Sequence, residues 1–301
     1  MKVPVMAYKP VTPATCWPNA THELLLKAVL LTDESAQTAW QQWQTQVDFF
    51  QDSLSGGSYR LLPLVYRNFL AIGIDDPLMS RLKGIVRNTW TRNQILVKNV
   101  VPTLQALNNN HIQTLLLGDA ALTLASYADY GAVPMNAFDI AVQPENASGA
   151  INQILQTGEW TAHKLPLSHN QKQTKSPHKI TFRNNRGHQL NLTWRPPIQS
   201  FPHQEIHDTW AHKVPFQFNN VNTFILCPAD HFLTLCRDGL LFNRPLAVDW
   251  IAHSVHVLKQ VSDVGWQRLI ATAQNQHQVL AVRQTLHSMT QSFDVCIPSA
   301  Q

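Results

Sequence analysis

The apolar residues of this chain change their spacing twice along the sequence, and this change limits the folds that the chain can adopt. From about Thr21 to Leu107 they recur every three or four residues, which is a helical pattern. Over roughly the next hundred residues, short apolar runs and strict alternation favour β-strands. Helical spacing returns after Pro228. The sequence therefore predicts an α+β fold in which a small mixed β-sheet is flanked by N-terminal and C-terminal helical regions.

These changes of period suggest three regions, which we place at residues 1–110, 111–226 and 227–301. Within the first region, "SGGS" and "IDDP" break the helical pattern. Pro63 and Pro102 fall inside two of its helical segments, where a proline predicts a kink or a helix end.

The middle region contains signals for several strands and two hairpins. "IQTLLL" (112–117) is a buried-strand candidate that stops at Gly118, and the helix-like "AALTLASYA" follows. "KITFR" and "HQLNLTW" flank "NNRG", whose glycine suits a hairpin turn. "VPFQF" and "VNTFI" flank Asn219 and Asn220 and predict a second hairpin.

Composition indicates a globular chain with a large core. Of the 301 residues 44% are hydrophobic, and nine are tryptophan, which is ample apolar mass. The four cysteines follow no disulfide framework, and no apolar run approaches the roughly 18 to 20 residues of a membrane span. We therefore expect a cytoplasmic protein that has no membrane association.

Several segments carry a family resemblance. They are "RLLPLVYRNF", "GDAALTLASYADYG", "AFDIAV", "LNLTW", "CPADHFLTLCRDGL" and "VDWIA". Their order resembles the uncharacterised nucleotidyltransferase family, a branch of the DNA polymerase β-like nucleotidyltransferase superfamily, over nearly the whole chain. The resemblance implies a nucleotidyltransferase-like α/β core in the middle region.

The chain departs from this family at most of the charged positions. Members typically carry a Lys-Gly pair after the first strand, an Arg-x-Met-x-Asp-x-Asp run and a later Asp-Leu-His-Trp strand. The second acid of the run survives as Asp139. The positions that have lost their charged or polar family residue are Leu117, Val133, Ala137, Asn191 and Thr193.

These departures bear directly on metal chemistry. In the superfamily, acids two apart on one strand face the same way and, with a third acid, hold two Mg²⁺ ions about 3.5 to 4 Å apart. Ala137 offers no ligand atom, and Asn191 offers only a neutral carbonyl. The resemblance therefore implies a degenerate member for which no cofactor is expected. If the chain is active, Asp139 is the catalytic and weak metal-binding residue, with Mg²⁺ also held by substrate phosphates.

An acid-free stretch from His163 to Arg195 concentrates positive charge. Its cations are Lys164, Lys172, Lys175, Lys179, Arg183, Arg186 and Arg195. Clustered cations attract anions, so this window is a candidate surface for a nucleic acid, a nucleotide or an acidic protein. The alternative is a solvated loop and hairpin face.

Other polar side chains suggest structural roles. Asp249, in "AVDWIA", is expected to cap a helix or to be a buried partner. His253 and His256, three apart on a predicted helix, are expected to form a surface pair. Three thiol and imidazole side chains follow no standard zinc spacing and are expected to pack in the core: Cys227, His231 and Cys236.

The preferred hypothesis is a nucleotidyltransferase-fold pseudoenzyme that binds an anionic ligand, a nucleotide or a protein partner. The expected ligand-binding residues are Gly118, Asp119, Asp139, Asn191, Lys179, Arg183 and Arg186. The alternative is an active Mg²⁺-dependent nucleotidyltransferase that uses Asp139 and a displaced acid, Asp119 or Asp129, on a small-molecule, protein or RNA acceptor. A third hypothesis is a nucleic-acid-associated protein that uses Lys172 to Arg195.

Overall fold

A computed structural model describes residues 17–49, 54, 56–164, 178–194, 205–241, 248–293 and 295. The α-helices in these ranges are α1 (Ala20–Leu30), α2 (Glu34–Gln46), α3 (Gly56–Ile72), α4 (Met79–Asn109), α5 (Gly118–Ala121), α6 (Ala147–Gln156), α7 (Glu205–Ala211), α8 (Pro228–Leu241), α9 (Asp249–Leu258), α10 (Asp263–Asn275) and α11 (Val279–Phe293). A π-helix (Leu122–Ser126) continues α5, and a 3₁₀ turn (Pro144–Asn146) precedes α6.

The strands form one mixed sheet. They are β1 (Leu115–Leu117), β2 (Phe138–Ala141), β3 (Thr161–Lys164), β4 (Lys179–Arg183), β5 (Gln189–Thr193), β6 (Val214–Phe218) and β7 (Val221–Ile225). Their order across the sheet is β3-β4-β5-β2-β1-β7-β6. The β1–β7 and β2–β5 pairs are parallel, and the other neighbouring pairs are antiparallel. The predicted α+β class, with a mixed sheet between two helical regions, is confirmed.

Both predicted hairpins are present. β4 and β5 pair antiparallel around a turn in which Gly187 adopts φ +80°. β6 and β7 pair around Asn219 and Asn220, whose φ angles of 43° and 60° are both left-handed. Two left-handed residues are what a two-residue turn needs to match the twist of its strands, and asparagine tolerates that conformation better than most residues.

The two faces of the sheet are buried differently. Phe138, Ile140 and Leu192 belong to an apolar core that α4 and α6 also join. On the opposite face, Leu117 packs in a smaller cluster with Trp210 of α7. Alternation along β2 therefore places Asp139 on the face of the sheet that carries the smaller apolar cluster.

The helices before and after the sheet share one core. Trp40 and Trp43 of α2 stack at 5.0 Å between ring centroids, and they belong to the same buried cluster as Ile251 of α9. The three-region division stays a prediction, although the first and third regions pack against each other here. Among the described residues, no helix combines the length and apolar character needed to cross a membrane.

The prolines inside α3 and α4 do not end these helices, so of the two expected outcomes, a kink or a helix end, the helix end is wrong and the kink stays a prediction. α3 runs through Pro63 to Ile72, and α4 runs through Pro102 to Asn109. Each proline removes one backbone hydrogen-bond donor. Apolar side chains before and after it are buried only if the helix continues, and this burial stabilises the fold by more than the lost hydrogen bond costs. Leu61 and Leu104, for example, are fully buried.

The contact between α8 and α9 gives a stability prediction. A Cβ added at Gly239 would overlap the indole ring of Trp250. We expect Gly239→Ala to lower the free energy of unfolding by about 1 to 3 kcal/mol, because the buried ring has to move.

The matched control is Gly84→Ala, where an added Cβ meets nothing within 4 Å inside α4. That variant should gain about 0.5 to 1 kcal/mol from helix propensity. Chemical denaturation measures both, and an equally stable Gly239→Ala protein would contradict the packing.

Candidate functional site

The candidate site lies where β1 ends against β2. Leu117, the last residue of β1, is opposite Asp139 in the antiparallel pair. Gly118 follows with φ +54° and turns the chain into α5. A Cβ at Gly118 would lie 3.6 Å from Asp139 Oδ2, so the backbone passes close to the carboxylate. We call the site formed by Gly118, Asp119, Asp139 and Asn191 the cleft.

A row of polar side chains crosses three strands at Asp139. Asn191 is its register partner on β5, and Asn191 Nδ2 donates a hydrogen bond to Asp139 Oδ1 at 2.9 Å. Asn191 Oδ1 accepts from Thr181 Oγ1 at 2.8 Å and from Gln189 Nε2 at 3.1 Å. The amide is therefore fixed with its NH₂ group toward Asp139 and its oxygen turned away.

Lys179 provides the charge that faces Asp139. Its Nζ lies 3.4 Å from Asp139 Oδ1, and its side chain is 54% exposed, while that of Asp139 is 30% exposed. Burial raises the pKa of Asp139, whereas Lys179 and the hydrogen bond from Asn191 lower it. The nearby charge of Asp119 raises it further, so the net effect is a pKa above the usual range.

Asp119 is bound by a half-buried arginine. Arg60 of α3 donates from Nη2 to Asp119 Oδ1 at 2.7 Å and from Nε to Asp249 Oδ2 at 2.6 Å. It also donates from Nη1 to the carbonyl oxygen of Pro134 at 2.7 Å. One guanidinium thus connects α3, the start of α5, the loop before β2 and the start of α9.

Asp249 continues this polar chain into the core. It is the first residue of α9 and is buried, which confirms the expected buried partner. Burial alone would raise the pKa of Asp249, but Arg60 and His253 outweigh it and hold that pKa well below its usual range. His253 Nε2 lies 3.4 Å from Asp249 Oδ2, and His253 Nδ1 lies 3.0 Å from the hydroxyl oxygen of Tyr127.

The expectation that His253 and His256 form a surface pair is wrong. His253 is 2% exposed, and His256 is half-buried with its ring stacked on Tyr127 at 3.9 Å between centroids. His256 Nε2 lies 2.8 Å from the carbonyl oxygen of Ser126. The spacing of three does place both histidines on one face of α9, but that face packs inward.

The π-helix sets the position of Tyr127. The backbone N–H of Tyr127 donates to the carbonyl oxygen of Leu122, five residues back, at 2.8 Å. π-helical turns are rare and frequently occur at functional sites. Burial raises the pKa of Tyr127, so its phenol stays protonated and can donate to His253 Nδ1.

The structure brings together most of the predicted ligand-binding residues. Gly118, Asp119, Asp139 and Asn191 meet in the cleft, and Lys179 contacts Asp139. Arg183 ends β4, on the same strand face as Lys179. Arg186 instead donates to Asn99 Oδ1 of α4 at 3.1 Å, so it points away from the cleft.

Part of the basic window lies outside the described residues, namely Lys172, Lys175 and Arg195. In the part of the chain that the structure does describe, no group of three or more His, Cys, Asp or Glu side chains is arranged to hold a metal. His231 and Cys236 are buried in the core, and burial lowers the pKa of His231 to about 4.

Sequence reasoning missed the two arginines of α3. Arg60 binds Asp119 and Asp249, and Arg67 binds Asp129. The two arginines are seven residues apart, which is two turns of one helix face. Two cations on one face of an otherwise apolar helix are a signal that could have predicted acidic partners elsewhere in the chain.

Comparison with known proteins identifies the family. A family model described as an uncharacterised nucleotidyltransferase matches residues 58–294, more than three quarters of the chain. The chain therefore belongs to this nucleotidyltransferase family. The matched range includes Arg60, the cleft and Asp249. No curated protein matches the chain.

The ion pair between Arg60 and the buried Asp249 gives the second prediction. Arg60→Met leaves Asp249 charged and buried, so we expect a loss of about 3 to 5 kcal/mol in the free energy of unfolding at neutral pH. Arg67→Met is the matched control, because the side chains of Arg67 and Asp129 are about one third exposed. It should cost about 1 kcal/mol or less.

The loss in Arg60→Met should also depend on pH. Since the folded pKa of Asp249 lies below its unfolded value, the ionised carboxylate stabilises the wild type above the unfolded pKa. That contribution declines as the pH falls from the unfolded pKa toward the lower folded pKa, so the difference between the two proteins should begin to shrink at about pH 4 and continue to shrink as the pH falls further. Denaturant titrations across pH measure this, and a constant difference would contradict the role assigned to Asp249.

Asp139 gives a prediction opposite to that for Asp249, because ionisation of Asp139 lowers the stability of the folded chain. Its folded pKa lies above its unfolded value, so ionisation costs stability as the pH rises through that interval. We expect Asp139→Asn to raise the melting midpoint at neutral pH and to leave it unchanged near pH 3. Asp75→Asn, at an exposed carboxylate, is the control. A lower midpoint for Asp139→Asn would mean that Lys179 and Asn191 outweigh burial.

Proposed function

We propose that this member of the nucleotidyltransferase family has lost two-metal catalysis and acts by binding an anionic ligand of the nucleotide class in the cleft. One observation carries the proposal. The carboxylate of Asp139 is already held by the ammonium of Lys179 and the amide of Asn191. Both donors contact Asp139 Oδ1, so the chain itself partly offsets the carboxylate charge that a metal would otherwise offset.

The orientation of Asn191 supports the loss of the metal clamp. An amide can bind Mg²⁺ only through its oxygen. Asn191 Oδ1 faces Thr181 and Gln189 and accepts a hydrogen bond from each. Its NH₂ group, which repels cations, is the part that faces Asp139. A metal bound by both Asp139 and Asn191 would require this amide to turn and both hydrogen bonds to break.

The acids that could replace the missing ones are also paired. Asp119 is bound by Arg60. Asp129 is bound by Arg67, and its Oδ1 accepts from the backbone N–H of Gly131 at 2.7 Å. An active enzyme that used either acid as a metal ligand would first have to release it from a guanidinium. This arrangement favours the binding proposal over the alternative of an active Mg²⁺-dependent transferase.

Lys179 is the residue that we expect to meet an anionic ligand. Its side chain is more than half exposed, and its contact with Asp139 is long, so it can turn toward a phosphate at little cost. Arg183 lies on the same face of β4. Lys179 and Arg186 point in different directions, which gives less support to a continuous nucleic-acid surface.

Mg²⁺ and nucleoside triphosphates test the proposal. The wild type should give no Mg²⁺-dependent change in melting midpoint and no transfer of a labelled nucleotidyl group. Nucleotide without metal should raise the midpoint, and Lys179→Gln should weaken that effect. Label transfer that requires Mg²⁺ and disappears in Asp139→Ala would overturn the proposal in favour of the active transferase.

Restoring the missing acids provides a matched positive control. The double variant Ala137→Asp, Asn191→Asp places three carboxylates around the cleft, so it should gain a Mg²⁺-dependent rise in melting midpoint. Ala137→Asn adds similar bulk without charge and should behave as the wild type. If all three proteins respond to Mg²⁺ alike, the metal binds without the restored acids, and the argument from missing carboxylates fails.

A further inference from the structure

A cavity lies on the helical side of the molecule, between α1, α3 and α9. Its volume is about 240 Å³. Leu64 and Arg67 of α3 line it, together with Tyr127 and with Val255 and His256 of α9. We call it the α3–α9 cavity. It is separate from the cleft described above, because neither Asp139 nor Asn191 lines it.

The charged side chains that line this cavity are positive. Arg67 and Lys259 both contribute, and no Asp or Glu is among the described residues of its wall. Arg67 uses one Nη1 donor on Asp129, and its guanidinium lies over the ring of Tyr127 at 5.5 Å. Lys259 is exposed and forms no ion pair with a described residue. After Asp129 has offset Arg67, one positive charge remains without a partner.

The rest of the wall is apolar and aromatic. Leu64 and Val255 are buried and line the cavity. The rings of Tyr127 and His256 lie face to face, with an angle of only 13° between their planes. His256 Nε2 faces the carbonyl oxygen of Ser126, which leaves Nδ1 as the other polar atom of the ring. A cavity with a cationic rim and an apolar wall suits a molecule that has both characters.

We propose that the α3–α9 cavity binds a small organic oxyanion, that is, a phosphate or carboxylate group carried on an apolar body. Arg67 and Lys259 contact the oxyanion, and the apolar body packs between Leu64 and Val255. Charge-assisted hydrogen bonds from a guanidinium and an ammonium are the strong polar contacts available to such a group. The aromatic surface of Tyr127 and His256 lies beside it.

The protonation of His256 fits this assignment. Burial lowers the pKa of His256, and the charges of His253, Arg67 and Lys259 lower it further, although its hydrogen bond to Ser126 raises it. An anion placed among these cations reduces their repulsion of a protonated imidazole. An anion bound in the cavity therefore makes protonation of His256 less costly than it is in the empty site.

A buried polar chain connects this cavity with the cleft. Tyr127, which lines the cavity, contacts His253, and His253 lies beside Asp249. Asp249 and Asp119 share Arg60. Each link is a direct side-chain contact, so the two sites are joined without passing through solvent. The cavity proposal stands on its own lining residues and does not depend on what the cleft binds.

Phenyl phosphate and benzoate are the probes, with phenol as the uncharged analogue of similar shape. Both oxyanions should raise the melting midpoint of the full chain in a saturable manner, and phenol should not. If only one of them does so, the result identifies phosphate or carboxylate as the group that is bound. Isothermal titration calorimetry then gives the dissociation constant of the responding probe.

Two variants locate the site, and a third is the control. Lys259→Gln should weaken binding about tenfold, because it removes a charged donor. Ala71 is an exposed residue of α3 that lines the cavity, so Ala71→Phe should block entry and abolish binding without unfolding the chain. Lys83→Gln removes an exposed lysine of α4 elsewhere and should bind as the wild type.

Two results would overturn the proposal. One is no saturable response to either oxyanion at millimolar concentration in the wild type. The other is a response that Lys259→Gln, Ala71→Phe and Lys83→Gln leave equally strong or reduce to the same extent, since binding then lies elsewhere or follows net charge alone. Circular dichroism of each variant confirms that a lost response is not a lost fold.

Discussion

The hydrogen bonds of the Arg60 guanidinium are the interaction on which the packing of the helices against the sheet most depends. The guanidinium joins acceptors from three parts of the sequence: Asp119 after β1, Pro134 before β2, and Asp249 at the start of α9. A planar fork with several N–H donors can satisfy three acceptors at fixed angles, which a lysine cannot do. Because Asp249 is almost wholly buried, its charge is tolerated only while Arg60 is in place. Arg60 thus joins the helical core to both sides of the β1–β2 connection through one polar side chain, and Asn93 of α4 adds hydrogen bonds to the same connection.

The same principle operates in the cleft, where each acid has a partner from the chain itself. Asp139 has Lys179 and Asn191, and Asp119 has Arg60. In a two-metal site, carboxylates crowd together without protein cations, and their mutual repulsion is relieved by the metals. Here donors of the chain offset part of that cost, although burial and the charge of Asp119 still hold the pKa of Asp139 above its usual value. A fold built around such a cleft can remain stable without metal, and its apolar residues can be kept while its chemistry changes.

The sequence predicted the elements well where local chemistry decides the structure. The turn at Asn219 and Asn220 and the β4–β5 hairpin follow from turn residues and alternation, and both are present. Asp249 was correctly expected to be a buried partner. The partner itself was not predicted, because Arg60 is 189 residues away and no local pattern connects them.

Two failures have a common physical cause. Neither Pro63 nor Pro102 ends its helix, although a helix end was one of the two expected outcomes, and His253 was expected at the surface but is buried. Each expectation rested on local sequence alone, yet tertiary packing decided the outcome in each case. In the cleft, the strand faces on which Asp139 and Asn191 lie were predictable from alternation along the strands. The direction in which the Asn191 amide points was not, because it depends on Thr181 and Gln189 together.

The π-helix at Leu122–Ser126 has a consequence for how this chain tolerates insertion and deletion. A wider turn accommodates one more residue than an α-helix of the same length, so it changes the angular phase of everything that follows by about 100°. Tyr127 is the first residue after it and meets α9 only in the shifted phase. Loss of one residue from this turn would restore a regular helix and swing the phenol away from both imidazoles. The length of this short segment is therefore constrained more tightly than its composition.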